Sequence, residues 1–156
     1  MITLEIPIKP YLKKYLTKKY GEVHHVKKTS LLGGIIIDIL DKQYRKKELV
    51  LDYKSSYKIS IPNTIIQKTG FDISFLKLKY LADKIYRLFY SDLETYINVS
   101  ISNELQFKNE KFDTLNKQNR LKAIAQFLDF YKITEEEISA DSVYKAMYRK
   151  SKTDKC

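Results

Sequence analysis

A predominantly helical α+β fold is what this chain of 156 residues predicts. A small β-hairpin region packed with helices is expected at the N-terminus, and a helical bundle with a helix-turn-helix-like end at the C-terminus. Two observations lead there. The clearest period-two, β-branched stretches lie before residue 62, and apolar residues recur at spacings of three and four from residue 72 onward. The expected division is therefore an α+β part over 1–70, a helical part over 71–152 and a short tail over 153–156, together one compact unit.

Taken in order, "ITLEI" at 2–6 alternates as a strand and stops at Pro7. Pro10 suits the first turn of a helix over 11–20, which Gly21 ends. Tyr11, Leu12, Tyr15 and Leu16 form one apolar stripe on that helix. Lys13, Lys14 and Lys18 lie off the stripe, whereas Lys19 falls on it and must snorkel. Thr29 and Ser30 cap a second helix over about 31–43, which Gly33 and Gly34 weaken by roughly 1 kcal/mol each. The apolar run "GIIIDIL" within it also suits a buried strand, and the helix is preferred.

The β-rich segments 48–53 and 57–61, joined by "KSS", predict a hairpin closed by Pro62. "NTIIQKTG" follows as a short helical turn. Phe75, Leu78, Ala82, Ile85, Phe89, Leu93 and Tyr96 then mark a long helix, with a break expected near "NVSISN". After the polar joint "FKNEKFDTLNKQN" come a helix over 118–131, a capping box from Thr134 to Glu137, and a last helix over 142–151 capped by Asp141 or Ser142.

Composition narrows the function classes. A hydrophobic content of 44% argues for a folded core, and no apolar run approaches the roughly 18 residues of a membrane span. One cysteine, Cys156, rules out a disulfide framework, and the adjacent His24 and His25 have no third metal ligand near them in sequence. The N-terminus has no basic region followed by an apolar one, so the expected home is the cytoplasm of a host cell or a virion.

A formal charge of +10 points to a polyanionic partner, since lysines that meet phosphates release condensed counterions. Of the 29 basic residues 25 are Lys, which leaves few bidentate contacts to guanine or phosphate. Lys, Ile, Asn and Tyr also share A/T-rich codons, so base composition competes with function as the source of the charge.

Two stretches combine charge with architecture. In "KPYLKKYLTKKYGEVHHVKK" the tyrosines pack while Lys13, Lys14, Lys18, Lys27 and Lys28 remain for phosphates. In "FLDFYKITEEEISADSVYKAMYRK" the outline is that of a helix-turn-helix. There Val143, Ala146 and Met147 are expected to face inward. Lys145, Arg149, Lys150 and Lys152 are expected to meet the nucleic acid, with Tyr144 and Tyr148 alongside. Glu135, Glu136 and Glu137 repel a phosphate backbone unless their turn faces away.

"LVLDYK", with Asp52 and Lys54, resembles the second half of the metal-dependent nuclease signature PD-(D/E)xK, with Asp38 as the earlier acid but no proline before it. "YKISIPNTIIQKTGFDI" is similar to one half of the swapped-hairpin transcription factors of the AbrB type, and its strand–helix start to ribbon-helix-helix repressors. Neither pattern holds past Gly70.

Across about residues 25–150, the order of helix, "YKISIP" hairpin, long helix and final "AIAQFLDFYKITEEEISADSVYKAMYRK" resembles small proteins encoded by phages and mobile elements of Bacteroidota. That resemblance implies a context and carries over no catalytic residues.

The reading is a non-enzymatic, basic DNA-binding accessory or regulatory protein of a phage or mobile element. Binding is expected to be sequence-tolerant and salt-dependent, through Lys13, Lys14, Lys18, Lys27, Lys28, Lys145, Arg149 and Lys150. No cofactor, metal or membrane is expected. The first alternative is a protein-interaction module, either a virion component or an inhibitor of a host defence system, that pairs with itself or with a phage or host protein. The second is the Mg-dependent nuclease.

Overall fold

A computed structural model describes residues 1–40, 42, 55–108 and 117–153. Three strands, β1 (Ile2–Ile8), β2 (Val23–His25) and β3 (Ser55–Ile61), form one sheet in the order β1-β3-β2. Six helices complete the described residues: α1 (Pro10–Tyr20), α2 (Leu31–Ile39), α3 (Asn63–Thr69), α4 (Phe75–Lys108), α5 (Lys117–Phe130) and α6 (Ala140–Thr153). The fold is thus α+β and mostly helical. No helix among the described residues is long and apolar enough to cross a membrane.

Inter-residue contacts divide the chain into Met1–Tyr86 and Arg87–Cys156, a division that falls within α4 rather than after residue 70. In the first unit β3 is the central strand. It pairs antiparallel with β1, Ile2 opposite Ile61 through Ile8 opposite Ser55, and parallel with β2, where His24 lies opposite Ile59. The parallel pair requires a crossover, and α2 lies within it. Segment 48–53, expected as the other arm of a hairpin, lies outside the described residues.

β1 runs through Pro7 to Ile8 instead of stopping at the proline, because as an edge strand it tolerates a residue without an N–H. Its Ile6 and Ile8 join Tyr57, Ile59 and Ile61 of β3 in the core. α1 lays its buried Tyr11, Leu12, Tyr15 and Leu16 inward and ends at Gly21, whose φ of 89° suits glycine. The Tyr57 hydroxyl donates to the Gly21 carbonyl at 2.8 Å, tying the end of α1 to the central strand.

α2 begins where expected, with the Gly33 amide donating to Ser30 Oγ at 3.0 Å, and gives way to extended backbone at Leu40 rather than continuing to 43. "GIIIDIL" is therefore helical up to Ile39 and not a strand.

In the second unit α4 continues unbroken through "NVSISN". Hydroxyls in and just before that stretch bond back one turn, Thr95 to the Ser91 carbonyl at 2.9 Å and Ser102 to the Asn98 carbonyl at 2.8 Å. Ile97 and Ile101 are buried, and their packing outweighs weak local propensity.

α5 ends without a glycine. Lys132 adopts φ of 56°, its amide donates to the Asp129 carbonyl and that of Ile133 to the Leu128 carbonyl, the bond pattern of a Schellman cap. The capping box at Thr134 forms in its reciprocal half, with the Thr134 amide donating to Glu137 Oε2 at 3.0 Å. α6 starts two residues before the expected position. Ser139 caps it by accepting from the Ser142 amide at 3.2 Å, in place of Asp141 or Ser142.

Candidate nucleic-acid interface

Lys13, Lys14 and Lys18 of α1 occupy the side left by its buried stripe. Lys18 and Lys19 are exposed, and Lys13 and Lys14 are half-buried. Lys19 does what its position on the stripe demands. Its amino group reaches the Tyr15 hydroxyl at 3.2 Å and lies 5.5 Å and 5.7 Å from the centres of the Tyr15 and Tyr20 rings. Lys18 and Lys19 also stand in the last turn, where the helix dipole favours cations, so part of their role is structural.

Beyond Gly21 the chain enters β2. His24 is buried and His25 exposed, so the pair divides between the core and the surface. The His24 ring meets the Tyr20 ring edge-on at 5.0 Å, and its Nε2 is 3.4 Å from Ser30 Oγ. Burial first, then the charges of His25 and Lys27, holds the His24 imidazole below its ordinary 6.5.

The unfolded chain protonates His24 more readily than the folded one, so the stability tied to neutral His24 is present above 6.5 and is lost as pH falls below it. Melting temperature should drop from pH 7.5 to pH 5.5, and His24→Asn should flatten that slope. An unchanged slope would remove His24 as its cause.

Lys27 and Lys28 are exposed in the turn between β2 and α2. They lie just ahead of the helix N-terminus, whose amides add partial positive charge. Ser30 holds this turn in place: its Oγ accepts from the Gly33 amide and donates to the Lys27 carbonyl at 3.1 Å. Five of the expected residues, Lys13, Lys14, Lys18, Lys27 and Lys28, thus fall in the first unit on one continuous run of α1, β2 and the following turn.

The remaining three belong to α6, in the second unit. Lys145 is exposed but ion-paired with Asp141 one turn back at 2.6 Å, and the side chains of Arg149 and Lys150 lie outside the described residues. Val143 faces inward as expected, while Ala146 and Met147 are only half-buried. Tyr144 is half-buried. With Met147 it lines an open groove of about 260 Å³, whose other walls include Glu94 and Ile97 of α4 and Arg120 and Ile124 of α5.

The boundary between the units also sorts the charge. Residues 1–86 carry 17 basic and 8 acidic side chains, a net +9; residues 87–156 carry 12 and 11, a net +1. Codon composition acts on the whole chain. The excess of lysine over acid does not, and it belongs to the unit that holds α1 and the 27–28 turn.

Sequence reasoning missed a further basic surface, at the start of α4. Leu78, Leu81, Ala82 and Ile85 are buried, which leaves Leu76, Lys79 and Tyr80 outside, with the Lys84 amino group 5.1 Å from the centre of the Tyr80 ring. The signal lay in the positions between the core repeats, where lysines alternate with apolar residues.

Of the nuclease set, Asp52 and Lys54 lie outside the described residues, and Asp38 is an exposed position of α2 rather than the end of a strand. No group of three or more His, Cys, Asp or Glu able to hold a metal ion occurs among the described residues. Comparison of the chain with protein-family models, with curated proteins and with solved structures finds no match.

Proposed function

We propose that this protein binds DNA through the basic face of its first unit, as a non-enzymatic accessory or regulatory protein. The observation that carries this reading is the segregation of charge, net +9 in residues 1–86 against +1 in the rest. Lysine supplies nearly all of it, and lysine meets phosphate as a point charge rather than reading base edges. Binding is therefore sequence-tolerant. The setting in a phage or mobile element rests on the sequence resemblance alone.

Fluorescence anisotropy with labelled duplex and single-stranded DNA tests the proposal. If Lys13, Lys14, Lys18, Lys27 and Lys28 each neutralise a phosphate, the log–log salt slope on duplex is about −4 to −5, near −0.9 for each contact. Replacing all five with Gln should remove most of that slope and cost at least about a hundredfold in affinity at low salt. Replacing Lys145, Arg149 and Lys150 should matter far less. The reading fails if neither DNA binds at low salt.

A protein-interaction role is the second reading, favoured by the groove of the helical unit. Its lining combines the apolar Ile97, Ile124 and Met147 with the opposite charges of Glu94 and Arg120. Light scattering that shows a stable oligomer, unchanged by added DNA and lost in Met147→Asp, would support it over DNA binding.

A further inference from the structure

Leu76 and Tyr80 are 76% and 49% exposed, two large apolar side chains one turn apart. Single exposed apolar residues are ordinary on a protein surface; a cluster asks for a partner. Leu76 and Tyr80 stand one turn apart on the side of α4 opposite its buried Leu78, Leu81 and Ile85. Three lysines, Lys77, Lys79 and Lys84, are interleaved with them, against one acid, Asp83, between residues 75 and 86. The Lys84 amino group covers one face of the Tyr80 ring, 5.1 Å from its centre.

We propose that this surface binds single-stranded nucleic acid, with a base stacked on Tyr80 and phosphates held by Lys77, Lys79 and Lys84. The inference rests on the DNA-binding reading above and gives it a strand preference. Aromatic rings interleaved with lysines suit a single strand, whose bases offer open faces for stacking while its backbone stays within reach of cations. A duplex has already stacked its bases on one another. It could use the lysines and would leave Leu76 and Tyr80 with nothing to cover them. From Leu76 to Lys84 the helix rises about 12 Å, roughly three bases at 3.4 Å spacing, so the contact is short and backbone-led.

Anisotropy of labelled oligo-dT against a duplex of the same length, at low and moderate salt, tests the proposal. Tyr80→Ala should weaken the single-strand complex by about tenfold, the scale of losing one stacked base, and leave duplex affinity within about twofold. Tyr80→Phe, which keeps the ring, should bind like wild type. Lys84→Gln should reduce the single-strand salt slope by about 0.7. Circular dichroism of each variant confirms that the fold persists. If Tyr80→Ala leaves oligo-dT binding intact while the five-lysine variant loses DNA, the stacking surface is wrong and the basic-face reading survives. If neither DNA binds, both fail together. A dimer that Leu76→Glu dissociates without any change in DNA affinity also overturns the proposal, because the apolar surface then joins two copies of the chain.

Discussion

Gly33→Ala should destabilise the protein by about 1–3 kcal/mol, whereas the same change one residue later, Gly34→Ala, should stabilise it by roughly 0.5–1 kcal/mol. The two glycines are neighbours on one helix and differ only in what faces them. A Cβ on Gly33 would come 2.1 Å from the Lys27 carbonyl oxygen and 2.4 Å from Ser30 Oγ, whereas one on Gly34 meets nothing within 4 Å.

At Gly33 the methyl therefore pushes on backbone and displaces the hydroxyl that caps α2. Overpacking costs about 1–3 kcal/mol and loss of the cap about 1, against a gain of about 1 from the better helix former. Thermal melting should show a fall of several degrees for Gly33→Ala and a small rise for Gly34→Ala. The turn that carries Lys27 and Lys28 moves with the cap, so DNA affinity should fall in the first variant alone. A Gly33→Ala protein as stable as wild type would mean that α2 does not approach the turn this closely.

Glycine shows how far the fold was legible. From sequence, Gly33 and Gly34 are two equal penalties in a helix; only the packing reveals that the first is required and the second is not. What could be read were features with a local cause: the stripe of α1 and its end at Gly21, the cap at Ser30, and the three-and-four spacing of α4. What could not be read depended on distant partners. β2 is three residues, "VHH", held by parallel pairing to a strand more than thirty positions away. The end of α5 carries no glycine signal, because Lys132 takes the left-handed position and buried Ile133 secures the cap. The break expected at "NVSISN" is overridden by Ile97 and Ile101 in the core.

The candidate interface was legible in part for the same reason. Lys13, Lys14, Lys18, Lys27 and Lys28 stand out because a basic run needs no tertiary information. Whether that charge is concentrated or spread evenly depends on where the chain divides, which sequence periodicity put near 70 and the contacts put within α4. Tyr80 escaped notice because its exposure follows from which side of α4 is packed. Lys145 is the converse case. It looked available in sequence, but it pairs with Asp141, an exposed contact worth at most about 1 kcal/mol that still directs the side chain along its own helix.

Phe127→Ala should be the most damaging single change in the helical unit, at about 3–5 kcal/mol. Phe127 is only 4% exposed and sits among three other rings, 5.6 Å from Phe89, 5.6 Å from Tyr96 and 4.8 Å from Tyr131. Truncation leaves a ring-sized cavity between α4 and α5 and removes ring–ring contacts worth about 0.5–1.5 kcal/mol each beyond the area they bury. Three positions on, Phe130 is 57% exposed and meets the Tyr131 ring at 5.0 Å. Phe130→Ala should therefore cost less than about 1 kcal/mol. Chemical denaturation followed by circular dichroism separates the two, with Phe127→Leu falling between them. Because the net charge belongs to residues 1–86, DNA binding by Phe127→Ala should persist within about tenfold even as the helical unit loosens. A variant that loses helix and DNA affinity in equal measure would move the interface into the second unit, back toward the basic end of α6.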